Sequence, residues 1–73
     1  MLLSRTYREI LKFLSRNVNA SMGTIAANIT AITYGSLKNH ISMLEDKGLV
    51  SKNYNDYVTV SITAKGQGYL RGA

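Results

Sequence analysis

The sequence predicts an α+β fold in which a three-helix core leads into a β-hairpin and a short C-terminal helix. Three observations predict it. Apolar residues recur at helical spacing through the first third of the chain. A helix opened by Thr33 stops at Gly48 and runs into the apolar pair Leu49-Val50. Beyond it, Asn55-Asp56 separates two short segments rich in β-branched and aromatic residues, the second alternating Val58, Val60 and Ile62 with Thr59 and Ser61.

Ser4 caps a first helix running to about Arg16, with Leu3, Tyr7, Ile10, Leu11 and Leu14 on one side and Arg5, Arg8, Lys12 and Arg16 on the other. At about 100° per residue the four cations fall within roughly 80° of one another. A stripe of this kind reads first as a solvated face and only second as a phosphate clamp. Leu2 and Phe13 widen the apolar face and offer a packing surface for a second subunit. Asn17-Val18-Asn19-Ala20 reads as a connection. Ser21 then caps a short second helix with Met22, Ile25, Ala26 and Ile29 inward, and Thr30-Ala31-Ile32 turns the chain into the third helix, which makes a helix-turn-helix.

The third helix separates into sides most clearly. Leu37, Ile41 and Leu44 form one stripe, while Tyr34, Ser36, Lys38, Asn39 and Ser42 lie outside it and bring hydrogen-bonding groups without a carboxylate. Thr33 caps its start, and Gly48 takes the left-handed conformation that ends it. His40 sits next to Ile41 in the inner half and is expected to be hydrogen-bonded and partly buried; with no second His and no Cys it is not read as a metal ligand.

The hairpin strands are expected over Leu49 to Tyr54 and Tyr57 to Ile62, where Val58, Val60 and Ile62 alternate with Thr59 and Ser61. Asn55-Asp56 is read as a tight turn, because both residues tolerate positive backbone angles. Thr63 caps a last helix to about Leu70, weakened by Gly66 and Gly68. Gly66-Gln67-Gly68 lacks the preceding strand and the glycine spacing of a dinucleotide loop and reads as a chance cluster.

Composition narrows the function. Seventy-three residues make one domain, which buries only about 60% of the surface its unfolded chain exposes, so oligomerisation would reinforce its core. Nine Lys and Arg against four Asp and Glu give a net charge of +5 and favour a polyanionic partner. The absence of cysteine, of a signal-peptide core and of a membrane-length apolar run predicts a soluble protein of the cytoplasm, with no membrane partner. One His, no Cys and four scattered carboxylates offer no nucleophile-base pair and no metal cluster, so no enzyme and no cofactor is expected.

Thr33 to Val50, then Ser51 to Ile62, then Thr63-Ala64-Lys65-Gly66, resembles the winged helix-turn-helix DNA-binding domain of MarR-like and short archaeal transcription regulators over nearly the whole chain. Its most specific pieces are Leu44-Glu45-Asp46-Lys47-Gly48-Leu49-Val50 and Ile62-Thr63-Ala64-Lys65-Gly66. Two departures stand out: Thr30-Ala31 occupies a turn where the family usually has Gly, in a spacing one residue longer than usual, and the long C-terminal dimerisation helix is missing. The resemblance implies a sequence-specific double-stranded DNA-binding regulator, by default a repressor. Its recognition helix, about 33–47, would enter the major groove, and its wing, about 51–61, would lie on the backbone or minor groove. It places Tyr34, Ser36, Lys38, Asn39 and Ser42 toward the bases, with Lys38 matched to guanine and Asn39 to adenine. Thr33 and Gly35 would lie close to the DNA backbone, and Lys52 and Asn53 would act from the wing. Tyr57 is expected to pack across the hairpin instead. The reading further carries a homodimer on a palindromic site and, with the similarity to short archaeal regulators, an archaeal, viral or plasmid source, the location then being the host cytoplasm; a chain of this length leaves no room for a separate effector domain, so no small-molecule effector is expected. The alternative is a winged helix that meets a protein of the transcription machinery; the carboxylate-free face of the third helix argues against it. A peripheral membrane or RNA binder using the first helix is disfavoured because that helix spends its apolar residues on the core.

Overall fold

The computed structural model describes residues 4–72. Helix α1 spans Arg5–Arg16, and a two-residue strand, β1, Ala20–Ser21, precedes helix α2, Met22–Asn28. Helix α3 spans Tyr34–Asp46; strands β2, Val50–Tyr54, and β3, Val58–Ile62, form the hairpin, and α4 spans Ala64–Gly72. Leu2 and Leu3, assigned by periodicity to the apolar side of the first helix, lie outside the described residues.

One local device starts the first three helices. The hydroxyls of Ser4, Ser21 and Thr33 accept the backbone N–H groups of Tyr7, Thr24 and Ser36 at 3.5, 3.1 and 3.1 Å, satisfying donors that a helix leaves unpaired at its first turn. The end of α3 is closed from the other side. Gly48 has φ +76°, and the N–H groups of Leu49 and Gly48 donate to the carbonyls of Leu44 and Glu45, both at 2.9 Å. This pair of bonds defines a Schellman motif.

The core gathers Ile10, Leu11 and Leu14 from α1, Ile25 and Ile29 from the second helix, Leu37, Ile41 and Leu44 from α3, and Ala20, Leu49, Val50 and Val60 from the sheet side. Among the described residues no polar side chain is buried with it. Phe13 packs half-buried against this core, so much of its ring belongs to the domain's own interior and not to a free subunit surface.

Three expectations change. The connection after α1 contains β1, because Asn19 adopts a left-handed φ of 56° and turns the chain alongside β3, pairing Ala20 with Val60 and Ser21 with Thr59. The Ser61 hydroxyl donates to Asn19 Oδ1 at 2.6 Å and accepts the Asn19 N–H at 3.3 Å, which holds the turn. The sheet therefore has three strands in the order β1-β3-β2. The hairpin turn has three residues, not two: Tyr54 pairs with Val58, leaving Asn55, Asp56 and Tyr57 to reverse the chain without positive φ at any of them. The turn between the second and third helices likewise contains no left-handed residue, which is why Thr30-Ala31 can stand where a glycine is usual.

The third change concerns Gly66, which is not a chance glycine. Thr63 Oγ1 donates to the Gly48 carbonyl at 2.7 Å and accepts the Gly66 N–H at 3.0 Å, drawing the first turn of α4 onto the chain that leaves α3. Gly66 is buried there, and a Cβ on it would run into the Leu49 carbonyl oxygen and come within 2.7 Å of Ile62 Cγ1. The result is a helix-turn-helix with a hairpin wing, the winged-helix fold.

Gly66→Ala is expected to cost roughly 1–3 kcal/mol through overpacking against backbone that cannot yield. Gly68, where a Cβ meets nothing within 4 Å, supplies the contrast: Gly68→Ala should be neutral or stabilising by up to about 1 kcal/mol. Urea unfolding of both variants checks this, and equal stabilities would remove the close approach as the reason for Gly66.

Candidate nucleic-acid interface

Three edges of α3 have different surroundings. Toward α1, the Tyr7 hydroxyl donates to Met43 Sδ at 3.1 Å, and the Tyr7 ring lies 4.4 Å from that of His40. His40 Nδ1 lies 2.7 Å from the Ser36 carbonyl oxygen. A carbonyl can only accept, so Nδ1 carries the proton. Ser36 Oγ stands 3.4 Å from the same nitrogen. Ser36 is thus half-buried on the edge facing α1, apart from the outward residues with which its sequence position groups it.

The crest of α3 presents Gly35, Lys38, Asn39 and Ser42, all exposed. Thr33 lies at its start with the hydroxyl engaged as cap. No carboxylate interrupts this crest before Glu45.

The third edge faces the wing across a groove of about 400 Å3. Tyr34, Lys38, Ile41 and Ser42 form one wall, Lys52, Tyr54, Tyr57 and Val58 the other, and Ser21, Met22 and Gly23 close it at the start of the second helix. Strand alternation explains the second wall: Val50 is buried, so Lys52 and Tyr54, two and four residues on, share its face of the sheet. Lys52 is half-buried, and its Nζ lies 3.6 Å from Glu45 Oε1, the one ion pair among the described residues. Asn53 falls on the opposite face, in a hollow with Asn19, Asn55, Asp56, Thr59 and Tyr57, the last of which borders both this hollow and the groove. The two wing residues singled out from the sequence therefore stand on opposite faces of the sheet.

Two tyrosines that the sequence places on the wing stand in the open. Tyr54 is 69% exposed and Tyr57 67%, so Tyr57 does not pack across the hairpin; it stands in the turn, where cross-strand partners end. Strand alternation reaches Tyr54 once Val50 is placed inward. The approach of Ser21 to Gly23 has no local signal, because it depends on β1 pairing with β3.

On α1, Arg5, Lys12 and Arg16 are exposed, whereas the Arg8 guanidinium lies 5.9 Å from the centre of the Tyr69 ring, within cation–π range. One member of the cationic stripe thus helps to seat α4. Among the described residues no group of three or more His, Cys, Asp or Glu could hold a metal ion, and no helix is long and apolar enough to cross a membrane.

Neither a family model nor a curated protein sequence matches the chain. Solved structures do. The transcriptional regulator BldR from Sulfolobus solfataricus superposes with a TM-score of 0.83 and 32% identity over 96% of this chain and 52% of that one. MepR from S. aureus, in a structure of its DNA complex, gives 0.87 and 16% identity over 96% of this chain and 60% of that one. A MarR family protein from Bacillus stearothermophilus gives 0.85 and 15% identity over 99% of this chain and 51% of that one. The chain therefore spans little more than half the length of these proteins. What they share with it is the winged-helix fold.

The geometry separates residues that build α3 from those it displays. Thr33→Ala removes the cap and is expected to cost about 1 kcal/mol, whereas Asn39→Ala should leave stability within about 0.5 kcal/mol. Thermal unfolding of the two variants checks the distinction; a destabilised Asn39→Ala would mean that this side chain is structural.

Proposed function

We propose that the chain is a sequence-specific double-stranded DNA-binding transcription regulator that reads the major groove with α3 and grips the adjacent backbone with its wing. The observation that carries this is the juxtaposition of the carboxylate-free crest of α3 with a projecting hairpin that shares a lysine-rimmed groove with it. The 13 residues of α3 extend about 20 Å, and a helix of this kind fits the groove of B-DNA. With α3 seated, the strand bordering the groove passes between helix and wing, where Lys52 meets phosphate. The net charge of +5 acts in the same direction at longer range.

In this reading Lys38 and Asn39 specify. Lys38 donates to guanine O6 or N7, and Asn39 offers adenine a matched donor and acceptor. Tyr34, Gly35 and Ser42 border the contact, Thr33 holds the start of the helix, and Ser36 acts indirectly by fixing His40. Lys52 positions. Its pairing with Glu45 is partly solvated and worth about 0–1 kcal/mol, so a phosphate can replace the carboxylate. The finer reading is a homodimeric repressor occupying two half-sites. Neighbouring half-sites lie about 34 Å apart along the duplex, more than one recognition helix reaches, so a small domain gains a second half-site only from a second copy.

Selection from random duplexes tests the class of target. On the selected site, Lys38→Ala and Asn39→Ala are each expected to relax preference at particular base pairs, at a cost of about 1–3 kcal/mol. If both bind with wild-type affinity and preference, α3 is not the reading element.

Lys52→Ala should instead weaken all duplexes alike and reduce the slope of log affinity against log salt by about 0.9, one phosphate's worth. Glu45→Gln frees the same ammonium and should tighten binding by up to about fivefold, the equivalent of one exposed ion pair. Salt titrations of both variants decide; an unchanged slope in Lys52→Ala removes this lysine from the interface.

A further inference from the structure

The groove between α3 and the wing carries more aromatic surface than a phosphate contact uses. Tyr34, Tyr54 and Tyr57 all open into it and are 53%, 69% and 67% exposed. None of the three rings is stacked on another ring or under a cation among the described residues; the ring contacts found, Tyr7 with His40 and Arg8 with Tyr69, lie elsewhere. A hydrophobic explanation accounts poorly for them, since the core closes without them and each leaves more than half of its surface in water.

The rest of the groove selects the occupant. Its volume of about 400 Å3 lies within the roughly 300–1,000 Å3 range of small-molecule sites, enough for one nucleobase. Ammonium groups stand on both walls: Lys38 is exposed and has no ion pair among the described residues, and Lys52 is held by a single carboxylate at 3.6 Å. Flat aromatic faces between two cations complement a planar base attached to an anionic backbone. Base-on-aromatic stacking with lysines along the phosphates is how proteins hold unpaired strands, and it is tolerant of sequence because every base has a π-face. A paired base is inaccessible to such stacking, since both of its faces are covered within the duplex.

We infer that the groove between α3 and the wing accepts an unpaired nucleobase, stacked on the tyrosines of the wing with its phosphate on Lys38 and Lys52, so that the protein binds single-stranded or locally unpaired nucleic acid through the face that abuts the duplex. The inference rests on the nucleic-acid reading above for its class of ligand, but not on duplex recognition. It gives Tyr54 and Tyr57 a role distinct from that of Asn39: they hold a base taken out of pairing, whereas Asn39 reads one that remains in it.

Three probes test it: a duplex carrying the selected site, the same duplex with one unpaired 2-aminopurine, and a twelve-residue oligothymidine. The unpaired duplex is expected to bind at least about fivefold more tightly than the intact one, the low end of what one stacked base contributes, with quenching of 2-aminopurine fluorescence. Tyr54→Ala and Tyr57→Ala should abolish the quenching, weaken oligothymidine binding at least about fivefold, and remove the gain that the unpaired base gives over the intact duplex. Tyr54→Phe and Tyr57→Phe should retain both signals, because the ring and not the hydroxyl is used, and circular dichroism verifies that each variant is folded. Binding of the intact duplex with no gain from the unpaired base, and no binding of oligothymidine, would overturn the inference and leave duplex recognition standing. Tyrosine-dependent binding of oligothymidine without binding of any duplex would do the reverse. If the alanine variants instead convert a dimer of the free protein to monomer in sedimentation, the groove is covered by a second copy and the inference is wrong.

Discussion

The shape of the surface that α3 and the wing present depends on how the chain leaves α3. Within two residues the backbone closes the helix, reverses its direction and becomes an anchor for the hairpin and for α4. The carbonyl of Gly48 accepts the Thr63 hydroxyl, the carbonyl of Leu49 accepts the Thr63 N–H at 3.0 Å, and Gly66 lies directly on the same peptide. Both ends of the hairpin are thereby tied to one point: β2 begins there, and β3 returns there before α4 starts. Because the hairpin is fastened at its base, the angle at which it stands away from α3 is set by covalent geometry, two hydrogen bonds and the close approach of Gly66.

The same junction divides the molecule into a side that stores its apolar surface and a side that displays polar groups. Ile10, Leu11 and Leu14 meet Leu37, Ile41 and Leu44 across the interior, while the edge of α3 nearest α1 is finished by the contact of Tyr7 with His40 and Met43. That contact lies at the margin of the buried stripe and fixes the rotation of α3 about its own axis. The crest then points outward and the third edge toward the wing. A rotation of one residue would exchange Lys38 for Leu37, so the packing of a tyrosine on a histidine has a direct bearing on which groups face the solvent.

Much of this is legible in the sequence because it is local. The three hydroxyl caps, the left-handed Gly48, the apolar triplet of α3 and the alternation of β3 each follow from a residue and its near neighbours, and each is where local physics places it. The remainder depends on distant partners. A two-residue strand has no periodicity, so β1 exists only by virtue of β3. Gly66 resembles any helix-weakening glycine until the Leu49 carbonyl is laid against it. Asn53 and Lys52, adjacent in sequence, separate onto opposite faces once Val50 fixes the register, and Ser36 leaves the outward group because α1 packs against that edge. Tyr57 departs from its expected packing because the turn takes three residues and places it beyond the last paired position. Residues of the groove are thus half visible in the chain: the wall contributed by one helix can be read in advance, and the wall contributed by the hairpin requires its register.

The inward direction of Lys52 also bears on what the sheet does when no ligand is present. Its order leaves two open borders: β1, which is only two residues long, and β2, whose five residues expose unpaired backbone groups along one side. A strand from another molecule adding to β2 would lay its own side chains beside Lys52 and enclose an ammonium that water and Glu45 now share. Charges set on the inner face of a border strand oppose such additions, as does a border too short to template one. The lysine that rims the groove therefore has a second consequence, since its charge on the border strand opposes extension of the sheet by a neighbouring chain.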